Sequence, residues 1–142
     1  MRVEKDGYAI TTEAVDVDAV HAYLTQSYWS PGIPREVVAR AVKGSLCFSL
    51  FQGEAQVGFA RLVTDRATFA YLADVYVLEA HRGKGLSKWL METLLGHPEL
   101  QGLRRWVLMT KDAHGLYAQY GFTPLSKPER AMEIVDPDVY QR

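Results

Sequence analysis

Apolar positions recur along this chain with two different periods, and the changes of period mark its elements. A short apolar run at Tyr8–Thr11 reads as a strand. Val20, Tyr23 and Leu24 follow at helical spacing. Asp16 and Asp18 precede this helix, Ala19–Thr25, where carboxylates suit the positive end of the helix dipole. Gln26–Gly32 breaks the pattern and holds Tyr28, Trp29 and Pro31, so it reads as an aromatic-rich loop. Pro34 then opens a second helix, with Val37, Val38, Ala41 and Val42 as its buried stripe and Gly44 at its end.

Beyond Gly44 the period drops to two. Leu46, Phe48 and Leu50 alternate with Cys47, Ser49 and Phe51, and Val57–Thr64 and Phe69–Leu78 are further strand runs. The turns between them, Gln52-Gly53-Glu54 and Asp65–Ala67, are short enough to require an antiparallel meander. Leu86, Leu90 and Leu94 then recur every fourth residue, which predicts an amphipathic helix over Gly85–Leu95 stopped by Gly96-His97-Pro98. Arg105–Thr110 reads as a strand, and a strand–helix–strand unit of this size implies a right-handed parallel crossover. A short helix over Ala113–Tyr120 and a last strand at Met132–Val135 complete the reading. The expected fold is α/β: one domain over residues 1–142, with a mixed sheet built from an antiparallel meander plus a parallel βαβ unit.

Composition narrows the classes. Lysine and arginine total 16 against 17 aspartates and glutamates, so there is no basic excess to coat a polyanion and nucleic acid is not an expected partner. Cys47 is the sole cysteine and makes no internal disulfide, which favours a reducing, cytoplasmic setting. No apolar run reaches the ~20 residues of a membrane helix, and Met1–Asp6 lacks the apolar stretch of a signal peptide. The four histidines and Cys47 show no metal-ligand spacing, so no metal is expected. Cys47 lies mid-strand in an apolar run, a poor place for a nucleophile.

The segment Val75–Ser87 carries the chemistry. A strand runs into a loop with Gly83 and Gly85, and a helix starts there. Helix N-termini offer unpaired N–H groups, glycines let that backbone approach a ligand, and Arg82 and Lys84 add positive charge. This is an anion site suited to a pyrophosphate, or else an ordinary glycine turn with solvated basic side chains. Neither a G-x-x-x-x-G-K-[ST] loop nor a full G-x-G-x-x-G fingerprint is present, since Lys88 holds the sixth position from Gly83. The meander ahead of the loop also opposes a Rossmann dinucleotide fold.

These residues resemble motif A of the GNAT superfamily of acyl-CoA-dependent N-acyltransferases, Arg/Gln-x-x-Gly-x-Gly/Ala, through Arg82, Gly85 and Ser87. Ser87 stands where the family has Gly or Ala. The resemblance continues in Ala113–Phe122, which fits the family's Ala-x-x-φ-Tyr-x-x-x-Gly-Phe, and Thr110 stands where an asparagine is usual. The resemblance implies a strongly bent sheet with helices on both faces and acetyl-CoA as acyl donor. It places the pyrophosphate on Arg82, Gly83, Lys84, Gly85, Leu86 and Ser87, and the pantetheine along the backbone of Val75, Tyr76 and Val77. Thr110 and Tyr117 would also contact the donor, and Tyr117 would protonate the leaving thiolate.

On the acceptor side, Asp74 is a carboxylate in an otherwise apolar strand. It either orients the substrate amine, or leads water to it, or makes a structural ion pair with an arginine such as Arg61. By the same resemblance Tyr28 and Trp29 line the acceptor pocket, with core packing as their alternative role. The expected activity is acetyl transfer to a primary amine of a small molecule or amino acid, with Tyr117 and Asp74 as the catalytic residues. A protein amine as acceptor and a non-catalytic CoA-binding or regulatory module are the alternatives. A homodimer is compatible with the chain, though no residue specifies one.

Overall fold

A computed structural model describes residues 1–141. One sheet of six strands runs in the order β1 (Arg2–Lys5), β2 (Tyr8–Thr11), β3 (Leu46–Gln52), β4 (Ala55–Thr64), β5 (Phe69–Val77) and β6 (Arg105–Leu108). Every neighbouring pair is antiparallel except β5 and β6, which are parallel. The crossover between those two carries α3 (Leu86–Leu95), as the βαβ pattern requires. α1 (Val17–Leu24) and α2 (Arg35–Lys43) precede β3, and α4 (His114–Ala118) follows β6.

The alternation seen in the meander sorts its side chains onto two faces. Phe48, Leu50 and Leu62 pack against Leu86, Leu90 and Leu94 of α3. Cys47, Phe59 and Tyr76 point the other way, onto Val20, Leu24 and Val38 of the first two helices. Asp16 caps α1 by accepting the Ala19 N–H at 3.1 Å, and its own N–H donates to the buried Gln56 at 2.7 Å, which fixes the helix to β4.

Two departures from regular pairing shape the sheet. Phe59 of β4 pairs with Tyr76 and Arg61 with Ala73, so β5 carries an extra residue and Asp74 takes a left-handed backbone with φ of 56°. The β5–β6 ladder ends at Leu72 and Leu108, and the rest of β5 diverges from β6. These are the bend and the opening that position the site.

Three expectations change. β1 was not predicted: all four of its side chains are exposed, so hydrophobic patterning cannot mark it, and only its pairing with β2 makes it a strand. β6 stops at Leu108 and α4 is confined to His114–Ala118. Among the described residues the tail Met132–Val135 forms no strand and pairs with none. Met132 is 97% exposed and Ile134 fully so.

Candidate active site

The glycine loop has the form that its sequence implies. Gly83 and Gly85 adopt φ of 79° and 75°, a region costly to residues with a Cβ, and a Cβ built on either would meet nothing within 4 Å. Gly85 is the N-cap of α3 and no side chain caps that helix, so the N–H groups of its first turn, at Leu86 and Ser87, remain available for an anion. Lys84 is exposed beside them. The residues present therefore fit a pyrophosphate. Arg82 is used differently from the simple expectation: its Nε donates to the Val77 carbonyl at 2.8 Å, clipping the loop onto the end of β5. Its Nη2 lies 3.5 Å from the Tyr23 hydroxyl.

Val75, Tyr76 and Val77 occupy the part of β5 that lies beyond the last pair with β6. Their backbone is therefore at the opening where an extended ligand arm can add to the strand. The side chains divide between the two faces: Val77 is buried in the α3 core, while Tyr76 stacks on Tyr23 with ring centroids 3.9 Å apart. Burial, with Tyr23 next, drives the Tyr76 phenol far above its ordinary pKa, so it stays protonated near neutrality.

Tyr117, on α4, is half-buried against the α3-side core and edge-to-face with Phe122 at 6.0 Å. Burial first, then the neighbouring Tyr28 phenol, raise its pKa. Tyr117 is thus held protonated across the physiological range, as a proton donor must be. Thr110 accepts the Ala113 N–H at 3.0 Å and so organises the start of α4.

Tyr28 and Trp29 project from the α1–α2 loop, edge-to-face at 5.1 Å. The loop is fastened by Ser27, whose hydroxyl donates to the Leu24 carbonyl and accepts the Ser30 N–H. Tyr28 reaches across to the β6–α4 connection, where its hydroxyl accepts the Lys111 N–H at 3.4 Å. The Trp29 indole N–H donates to one Asp74 oxygen at 2.9 Å, and Arg61 Nε donates to the other at 2.8 Å. The ion pair with Arg61 forms, and the carboxylate also lines a cavity of about 80 Å³. Val20, Leu24, Val38 and Phe59 supply its apolar walls, and Ser30, Arg61 and Tyr140 complete it.

Sequence reasoning missed Arg61 as a pocket residue, Ser45, which accepts from Arg61 Nη1 at 3.1 Å, and Tyr140. Cys47 lies close by. Burial pushes its thiol up to about 11, Asp74 adds to that rise and Arg61 opposes it, so the thiol stays protonated at neutral pH. Among the described residues no group of three metal-ligating side chains converges, and no helix is long and apolar enough to cross a membrane.

The model of a GNAT acetyltransferase domain matches residues 43–124, which include the meander, the glycine loop and Tyr117. A Gibberella zeae protein assigned as an acetyltransferase is 31% identical over 137 residues, covering 79% of this chain and 76% of that protein. A solved GNAT-family protein from Xanthomonas campestris pv. campestris is 47% identical. It superposes with a TM-score of 0.94, covering 98% of this chain and 100% of that one. A GNAT-family acetyltransferase from Streptococcus pneumoniae is 26% identical with a TM-score of 0.70, covering 90% of this chain and 96% of that one. With a glycine cradle, a diverging strand pair and a matching family model in one sheet, the chain belongs to the GNAT family of acetyltransferases.

Proposed function

We propose that the protein transfers an acetyl group from acetyl-CoA directly to a primary amine of a small molecule or amino acid, with Tyr117 as general acid. The observation that carries this reading is the bulge in β5. It turns Asp74 into the cavity under α1 and α2, and the next residues, Val75–Val77, form the free edge of the opening beside β6. On this reading the acceptor and donor sites meet at one peptide segment.

Bound acetyl-CoA supplies an acyl group already activated as a thioester. The N–H groups of the first turn of α3, with Lys84, hold its pyrophosphate, and the Val75–Val77 backbone holds the pantetheine arm. An N–H of that edge also serves to polarise the thioester carbonyl. Asp74 orients the amine: both carboxylate oxygens already accept one hydrogen bond each, and lone pairs remain for a substrate N–H. The amine nitrogen bonds to the acyl carbon as the carbon–sulfur bond breaks. The amine's proton passes to solvent water, Tyr117 Oη delivers one to the departing sulfur, and the phenolate regains its proton from solvent, so the net products are the amide and the free thiol. A phenol is a weak donor to a thiolate whose acid lies near 8.5, and burial makes Tyr117 weaker still, so the transfer relies on being concerted with carbon–sulfur cleavage. The cavity of about 80 Å³ suits a short aliphatic group, which favours a small acceptor over a protein surface.

The melting temperature measured with acetyl-CoA, free CoA, NAD and ATP in separate wells tests the donor. Both CoA species at about 100 times their Kd should stabilise the fold by ~2.7 kcal/mol, a rise of several degrees, with little effect of NAD or ATP. Thiol release across a panel of small amines and amino acids then tests the acceptor. No rise with either CoA species overturns the reading.

A further inference from the structure

The cavity beneath α1 and α2 holds a cation as well as the Asp74 carboxylate, and that cation has donors to spare. Arg61 and Asp74 both line it, with side chains 18% and 10% exposed, among apolar walls from Val20, Leu24 and Phe59. The guanidinium is held from two sides. Its Nε donates to Asp74 Oδ2 at 2.8 Å and its Nη1 to Ser45 Oγ at 3.1 Å. The Ser45 hydroxyl spends its own proton on the Ala41 carbonyl at 2.7 Å, so towards Arg61 it acts as acceptor only. Nη2 donates to no group among the described residues. A largely buried guanidinium with unused N–H groups favours a carboxylate, which it grips through charge-assisted hydrogen bonds.

Among the described residues no other charged side chain lines this cavity, so it is neutral overall with a positive and a negative pole side by side. A ligand carrying only an ammonium leaves Nη2 unmatched, and one carrying only a carboxylate leaves Asp74 without its amine. A zwitterion meets both. Volume sets the rest of the ligand: about 80 Å³ is roughly half of the ~150 Å³ that admits benzene, which leaves room for a side chain of about three carbons. We propose that the acceptor is a free α-amino acid with a short apolar side chain, its amine on Asp74, its carboxylate on Arg61 Nη2 and its side chain against Val20, Leu24 and Phe59. Arg61 is then the residue that sets acceptor specificity. The inference rests on the acetyl-transfer reading above and names its substrate class. The zwitterion binds, its ammonium loses a proton to solvent, and the freed amine bonds to the acetyl carbon as the carbon–sulfur bond breaks. A second amine proton passes to solvent and sulfur gains one, so the products are the N-acetyl amino acid and free CoA.

L-Valine, isobutylamine and isovalerate share one side chain and differ only in the charges they carry. Calorimetric titration of each into CoA-saturated protein reads the site without turnover. Valine should bind about 10- to 100-fold tighter than either relative, the worth of a hydrogen bond to a charged group. Phenylalanine, too bulky for the cavity, should bind about tenfold or more weaker than valine. In Arg61→Gln the advantage of valine over isobutylamine should fall to about threefold or less, even where both affinities drop because Asp74 has lost a partner. Should that variant not fold, the wild-type ratios decide alone. No binding of valine, isobutylamine binding as tightly as valine, phenylalanine binding as tightly, or an advantage that survives Arg61→Gln overturns the proposal. If neither CoA species binds, the acetyl-transfer reading fails and the same titrations are read on the protein alone. Valine's advantage there would still support the cavity as an amino-acid site, and its absence would end both.

Discussion

Asp74 holds a left-handed backbone inside a strand, a conformation a non-glycine residue keeps only when its surroundings fix it. Trp29 and Arg61 do so from opposite sides, and the result is a carboxylate aimed into a pocket rather than out of a ladder. Tyr117 has the complementary character: a neutral acid, pushed up by burial and by Tyr28. Tyr117→Phe should lower kcat by about 10²-fold or more, the usual worth of a positioned proton donor, with KM for acetyl-CoA little changed. Because its pKa is raised in the fold, Tyr117 stays protonated past its ordinary value of about 10. The alkaline fall of wild-type kcat should therefore begin above pH ~10, and Tyr117→Phe should lack it. The same sign applies to stability: the contribution of this phenol is complete below its unfolded pKa and is lost as pH rises through the folded one. A pH–rate profile of both proteins decides the matter, and an unchanged kcat in Tyr117→Phe removes the residue from the chemistry.

At the scale of elements, the meander depends on close approach as much as on alternation. Gly58 in β4 is opposite Leu50 of β3 and beside Tyr76 of β5, and a Cβ there would lie 2.9 Å from Leu50 Cδ2 and 3.0 Å from the Tyr76 carbonyl. Gly58→Ala should therefore destabilise the protein by roughly 1–3 kcal/mol, the cost of overpacking a full core. Gly115→Ala in α4 meets nothing within 4 Å and should be neutral or stabilising by about 0.5–1 kcal/mol. Urea unfolding of the pair separates the two cases, and equal effects would refute the packing argument. α3 was legible because it buries one face, which stamps a period of about four onto the chain, and the meander strands were legible as apolar runs bounded by turn residues, since β3 and β4 bury both faces. β1 left no such mark. The alternation at Met132–Val135 was legible as a pattern but not as an element, since a strand needs a neighbour and this one has none among the described residues. The glycine loop could be read from its residues alone, because its chemistry is local. The Arg61–Asp74 contact could be suspected, but its geometry depends on a bulge that no spacing reveals.

Across the whole molecule, the sheet separates two tasks. Its α3 face anchors the glycine loop against a large core, and its α1–α2 face holds the small cavity beside Asp74. Parts far apart in the chain close that cavity. The C-terminal turn Val139–Gln141 brings Tyr140 to its wall, while the Gln141 amide donates to the Pro31 carbonyl and fixes the turn to the aromatic loop. Gly32, with φ of 78°, packs closely there, as a Cβ would stand 3.2 Å from the Tyr140 carbonyl. No local sequence signal marks Tyr140, since its role exists only through a contact more than a hundred residues long. If the cavity sets which amines enter, Tyr140→Ala should broaden the acceptor range toward bulkier side chains. Its loss of apolar contact should raise KM for the best small amine several-fold, consistent with ~1 kcal/mol or so of lost burial. Affinity for acetyl-CoA should not move, because Tyr140 lines the cavity under α1 and α2 and not the glycine loop. Thiol-release kinetics over an amine series of increasing size, with acetyl-CoA held saturating, measures this. A variant whose size preference matches wild type would show that the acceptor enters elsewhere, and would detach Asp74 from the substrate along with Tyr140.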